Sequence, residues 1–166
     1  MLKKLYDSHR QLEASAKRLS TLIDVGLPDT GAVQAARWDI GTRILQHMAL
    51  EDRHLFANLA KDKRPAVAAL ARKYQAEFAG HVASYAEHAK IWTAERVVAD
   101  WDGYRTMTRQ QLRLLLARID QVEAEVFPLA QNVRLDAAQM PVTSWTKEAF
   151  AIKDSIAGVA DDAAVR

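Results

Sequence analysis

Apolar residues recur at intervals of three and four along most of this chain, and that spacing predicts amphipathic helices. One stripe covers residues 2–24 and a second covers about residues 30–60. A third begins at Pro65, which suits a first helical position, and continues to Trp92. A fourth extends from Val97 to Pro128, and its start lies somewhere between residues 92 and 100. Gly103 lies inside it and is expected to weaken the helix slightly.

Four long helices joined by short turns pack most simply as an up-down-up-down four-helix bundle. We therefore expect an all-α fold in which residues 1–130 form the bundle. Residues 131–166 are expected to form an extension, with a short helix at about 143–158 docked on the bundle and a frayed end. The composition, with 49% hydrophobic residues but only 6 Gly and 4 Pro, also favours a helical globular protein.

Charge and composition argue against several functional classes. The net charge is only +2 and basic residues are interspersed with acidic ones, so no basic stripe indicates nucleic-acid binding. The N-terminus does not resemble a signal peptide, and no apolar run approaches the roughly 20 residues that span a bilayer. We expect a soluble, cytoplasmic protein that binds neither nucleic acid nor membrane. No phosphate-binding loop or nucleophile elbow indicates an enzyme.

His47 and Glu51 form the most informative motif. On a helix they lie one turn apart on the same face, where both can reach one metal ion. Because the chain has no cysteine, ligands must come from His, carboxylate or Tyr, which suits iron, manganese or zinc. His9 lies in the apolar stripe of the first helix, where a single histidine is more often a hydrogen-bonded core residue than a ligand.

An internal repeat connects this motif with the other helices. A shift of 71 residues aligns His47 with Arg118 and Phe56 with Phe127, and a shift of 72 aligns His9 with His81. The repeat suggests an approximate two-fold axis through the bundle. It predicts a metal-binding cage formed by five residues on four helices: His9, His47, Glu51, His81 and Glu123.

The spacing of these residues resembles the hemerythrin-like, or HHE cation-binding, family over roughly residues 2–130. That family has a single His on helix one, His-xxx-Glu on helix two, His-xxx-His on helix three and His-xxxx-Glu or Asp on helix four. The matching segments here are His9, His47-xxx-Glu51, His81-xxx-Tyr85 and Arg118-xxxx-Glu123. The resemblance implies two irons bridged by two carboxylates, and a role in binding iron or in handling or sensing O2, NO or peroxide.

Tyr85 and Arg118 depart from the family pattern, and both belong to the same implied iron position. The other position keeps its full set of residues: His9, His47, Glu51 and Glu123. A guanidinium cannot ligate a metal because it stays protonated, but Arg118 could neutralise a buried carboxylate in place of the second ion. The resulting hypothesis is a single-metal site. Tyr85 is either a phenolate ligand, as would suit ferric iron, or a core tyrosine.

Two further functions stay open at this point. A bundle that has lost its metal could act as a protein-interaction or regulatory module, and a redox enzyme acting on a small oxidant would need an open coordination position. His54 and His88 are expected at the boundary of the core rather than among the ligands. Asp52, Asp120 and Glu125 are expected on the solvated flank of the helices.

Overall fold

The computed structural model describes residues 1–25 and 29–136. Every regular element in these ranges is helical, which confirms the predicted all-α class. None of these helices is both long and apolar enough to cross a membrane. The helix predicted at 143–158 lies outside the described residues.

The described residues form four long helical segments and one short helix. Their elements, in chain order, are α1 Leu2–Ile23, α2 Thr30–Leu50, π1 Glu51–Phe56, α3 Ala57–Leu59, α4 Pro65–Ile91, α5 Ala94–Ala99, α6 Trp101–Gln121, π2 Val122–Val126 and α7 Phe127–Ala130. The elements π1 and π2 are π-helices. The first segment is α1, the second is α2 with π1 and α3, the third is α4, and the fourth is α6 with π2 and α7.

Residues 92–100 contain a separate short helix, α5, because one side chain caps its start and another caps the start of the helix that follows. Thr93 accepts a hydrogen bond from the backbone N–H of Arg96 at the start of α5. Asp100 accepts one from the N–H of Gly103 at the start of α6, at 3.0 Å. A Cβ atom at residue 103 would collide with the Asp100 carboxylate. Gly103, expected to weaken the fourth helix, instead makes room for its cap.

Hydrogen bonds between neighbouring segments show that they run antiparallel, because later residues of one segment pair with earlier residues of the other. Between α1 and α2, Gln11 accepts from Arg43 and Ser15 donates to Asp39. Between the third and fourth segments, Tyr74 donates to Glu125 and Ser84 accepts from Gln111. The first segment also packs on the fourth, and the second on the third. Apolar clusters fill the two ends of the interior: one contains Leu5, Phe56 and Phe127, and the other contains Leu19, Trp92 and Tyr104. The polar residues of the site lie between them.

The two π-helices occupy equivalent positions in the internal repeat, since the shift of 71 residues moves Glu51–Phe56 onto residues 122–127. In each, a backbone N–H bonds to the carbonyl five residues earlier, Ala57 to Asp52 and Phe127 to Val122. Pro128 explains π2 locally, because proline has no N–H and its ring clashes with the carbonyl four residues earlier. Such insertions in α-helices occur frequently at functional sites.

The π-helical turn changes which side chains face inward. Asp52, predicted on the solvated flank, is buried and accepts a hydrogen bond from Gln75 on α4 at 3.0 Å. That prediction was wrong because the wider turn rotates the following residues relative to a regular helix.

Candidate metal centre

Three buried side chains from the first two segments converge between the apolar clusters. The Nε2 atoms of His9 and His47 are 3.2 Å apart, and Glu51 Oε1 lies 3.3 Å from His47 Nε2 and 3.7 Å from His9 Nε2. The donor atoms of these three side chains all lie within 4.8 Å of one another, and no other group of three His, Asp or Glu side chains among the described residues meets this criterion. Two imidazole nitrogens and a carboxylate oxygen suit a borderline or hard ion such as iron, manganese or zinc.

The outer nitrogen of each histidine has its own partner. His9 Nδ1 lies 2.7 Å from Glu123 Oε1, and His47 Nδ1 lies 3.1 Å from the hydroxyl of Ser8. If each Nδ1 carries the hydrogen and donates it outward, both Nε2 lone pairs face the same point, as in metal-binding histidines. Two bare imidazole nitrogens 3.2 Å apart repel one another. The geometry therefore requires a proton or a metal ion between them.

Glu51 supplies a negative charge in the interior, where it is only 1% exposed. Burial by itself raises the pKa of Glu51, but the adjacent His47 and His9 rings, which can donate towards Glu51 when they carry a hydrogen on Nε2, and the charge of Arg118 outweigh this effect. The net pKa lies well below its ordinary value, and the carboxylate is ionised. A buried carboxylate is costly unless positive charge lies close to it.

Arg118 provides part of that charge from the fourth segment. Its Nη2 lies 3.6 Å from Glu51 Oε2, which is an ion-pair distance but too long for a hydrogen bond. The guanidinium carbon lies 5.3–5.9 Å from the ring centres of three aromatic residues, Phe56, Tyr74 and Phe78. These rings attract the cation and hold it beside Glu51. Nη2 is buried and makes no hydrogen bond to the described residues.

Glu123 lies on the other side of the His9 ring from the three-residue group. It is partly exposed, bonds His9 Nδ1, and also pairs with Arg10 on the surface of α1. Phe127 stacks on the His9 ring, with centroids 5.1 Å apart and planes 7° from parallel. In this arrangement Glu123 and Phe127 fix the orientation of His9, and direct ligation by Glu123 stays a prediction.

The structure does not bring His81 and Tyr85 into the three-residue group. His81 is exposed on α4, and partial burial together with the charge of Arg118 lowers its pKa. Tyr85 lies one turn further along α4, and burial raises its pKa well above the ordinary value, so its hydroxyl is a neutral phenol. Ligation by either residue stays a prediction.

Sequence reasoning missed the outer partners Ser8 and Arg10, although both are adjacent to His9. A polar residue flanking an inward-facing histidine can reach the neighbouring helix, which is how Ser8 contacts His47. Spacing along one helix does not reveal such a contact, because it depends on the register between two helices.

A cavity of about 90 Å³ extends from this group along the interior. Its lining on α2 runs from Arg37 to His47 and on to Glu51 at the start of π1. His81 and Leu114 also line it, and both are exposed, so the cavity opens between α4 and α6. The three-residue group is therefore accessible to small molecules.

Comparison with known proteins provides no independent assignment: no family model, no curated protein and no solved structure matches this chain.

Proposed function

We propose that this chain is a hemerythrin-like four-helix bundle that binds a single metal ion through His9, His47 and Glu51. The observation that carries the proposal is the convergence of three buried donor atoms within 4.8 Å. The spacing of these residues and the repeat-related π-helices support the family relationship and its approximate two-fold symmetry. Iron is the expected ion, with manganese or zinc as alternatives.

A single ion is favoured because a fixed cation lies where the resemblance implies the second one. Arg118 Nη2 is 3.6 Å from the Glu51 oxygen that faces away from the two histidines. A second metal ion held by this oxygen would lie close to the guanidinium and be repelled by it. Arg118 thus offsets the negative charge at Glu51 Oε2, and we propose that the metal ion offsets it at Oε1.

The chain's own residues define what such a site can do. His9, His47 and Glu51 would hold the ion, Ser8 and Glu123 would orient the imidazoles, and the largely apolar cavity would limit access to small molecules. Iron held by two imidazoles and one carboxylate supplies open positions for small ligands. We therefore propose a role in iron binding or in handling or sensing O2, NO or peroxide.

Thermal unfolding with and without ferrous iron under anaerobic conditions tests the proposal. Iron should raise the melting temperature, because a ligand that binds only the folded state stabilises it. The shift should be lost in His47→Ala and in Glu51→Gln. His54→Ala is the matched control, since this histidine follows on the same segment but lies outside the group, and it should retain the shift. An equal shift in all four proteins would contradict the proposed ligands.

One observation favours a second candidate, a metal-free interaction or regulatory module. Arg118 together with a proton shared between His9 and His47 could balance the charge of Glu51 without any metal. This candidate predicts that ferrous iron, manganese and zinc all leave the melting temperature of the wild-type protein unchanged.

A further inference from the structure

We infer that the end of the cavity remote from the metal-binding group is a second binding site, for a monocarboxylate with an unbranched aliphatic chain. Its anchor is Arg37, which lies ten residues before His47 on α2 and therefore roughly 15 Å from it along the helix axis. This site does not depend on the proposed metal.

Arg37 is a buried cation that has no anionic partner among the described residues. Its side chain donates to the side-chain oxygen of Gln34 at 2.9 Å and to the backbone carbonyl of Trp92, and both acceptors are neutral. The residue is 4% exposed, yet no carboxylate among residues 1–25 and 29–136 lies within ion-pair distance of it. Burying a guanidinium without a counter-charge is costly, so an anion at this position would be stabilised.

The groups around Arg37 are neutral and polar. Burial, with a smaller contribution from Arg37, lowers the pKa of His88 to about 4, so its ring is uncharged at neutral pH and pairs with the Thr108 hydroxyl at 3.2 Å. The Tyr104 hydroxyl is completely buried and makes no hydrogen bond of good geometry to a described residue. Its ring lies 5.6 Å from the Arg37 guanidinium carbon. This end of the cavity therefore combines one positive charge with a buried hydroxyl donor that makes no well-formed hydrogen bond to the described residues.

The remaining lining indicates an apolar, elongated ligand. Between Arg37 and Glu51 the cavity wall is formed mainly by apolar side chains of three segments, including Ile40, Ile44, Phe78, Val82, Leu112 and Leu115. A volume of about 90 Å³ spread over some four helical turns makes a narrow channel, which fits a flexible chain better than a ring. At the other end the charge of Arg118 is already paired with Glu51, which would repel a carboxylate, so the head group is directed to Arg37.

A matched pair of ligands tests the inference on the wild-type protein. Hexanoate and hexanamide have the same chain and head groups of nearly the same size, but the amide is neutral and carries an NH2 donor in place of one acceptor oxygen. Titration calorimetry on protein freed of metal by a chelator should show hexanoate binding about tenfold more tightly or better, because a charged acceptor gains more from buried donors than a neutral one. Equal affinities, or no binding of hexanoate in the millimolar range, would overturn the inference.

Variants then locate the head group. Arg37→Gln should abolish the preference for hexanoate. Arg43→Gln should keep it, because Arg43 is on the same helix but bonds Asp39 and Gln11 and does not line the cavity. His47→Ala should also keep it, since the proposed metal ligands lie at the far end. Loss of hexanoate binding in His47→Ala but not in Arg37→Gln would place the carboxylate at the metal centre. That result would overturn the second site and leave the proposed function standing.

Discussion

The interior contains two halves at corresponding positions of the internal repeat, a histidine half around His9 and His47 and an arginine half around Arg118, and they differ in chemistry. In one half, His9 and His47 face Glu51 across distances of 3.2–3.7 Å. In the other half, the repeat places His81 and Arg118 at the corresponding positions. His81 is exposed there, and Arg118 lies among three aromatic rings. Both halves contain a π-helix at the same position of the repeat, which begins at Glu51 in one and at Val122 in the other.

This difference shows two ways in which the negative charge of one buried carboxylate, Glu51, can be neutralised. On its histidine side Glu51 faces ring nitrogens that can accept a metal ion or share a proton. On its arginine side it faces a charge that stays fixed at all physiological pH values. Both halves contain a π-helix but only one contains the group of two histidines and a glutamate, so the π-helical turn does not depend on that group.

Removing the fixed charge should have the largest effect on stability. Arg118→Met keeps an apolar side chain among the aromatic rings but leaves Glu51 without its arginine partner. We expect the free energy of unfolding in the absence of metal to fall by about 3 kcal/mol, as for other buried ion pairs that lose one member. Urea denaturation measures this. Arg113→Met is the control, because Arg113 is exposed on the same helix. A loss no larger than that of the control would show that Arg118 does not balance Glu51.

Acidification should remove the contribution of Glu51. The pKa of Glu51 is lower in the folded protein than in the unfolded chain, so its ionisation stabilises the fold above the unfolded value of about 4.3. This contribution is lost as the pH falls below that value and through the lower pKa of the folded protein. Stability measured by urea denaturation from neutral to acid pH should therefore decline less steeply in Glu51→Gln than in wild type. Parallel declines would contradict the assignment.

Weakening the hydrogen bond between Glu123 and His9 should have a moderate effect on metal affinity. Glu123→Gln keeps a hydrogen-bond acceptor near His9 Nδ1 but removes the negative charge, and loss of such an outer partner typically weakens metal binding about tenfold or more. Competition with a chromogenic chelator measures the change. Glu125→Gln is a suitable control, because Glu125 bonds Tyr74 and does not contact His9. Complete loss of binding in Glu123→Gln would indicate that Glu123 is itself a ligand.

The smallest effect is expected at Tyr85. If the metal lies in the histidine half, Tyr85→Phe should leave the visible spectrum of the iron-loaded protein unchanged. Disappearance of an absorption band in this variant would indicate phenolate ligation and place iron in the arginine half as well.

Local periodicity predicted the long helices and the all-α class, and the spacing of His47 and Glu51 predicted the side chains that meet His9. The parts that could not be predicted depend on contacts between segments. The π-helical turn that buries Asp52, and the position of Glu123 behind His9, follow from the packing of one helix against another. The short helix α5 did have a local signal, since Thr93 and Asp100 are typical capping residues.

Metal stoichiometry tests the central claim, a single ion held in the histidine half, most directly. Protein purified without chelator and reconstituted anaerobically with ferrous iron should contain one tightly bound ion per chain by elemental analysis. Arg118→His, which introduces the ligand type that the proposed resemblance implies at this position, should increase the content towards two. Two ions in the wild-type protein, or none in either protein, would contradict the account.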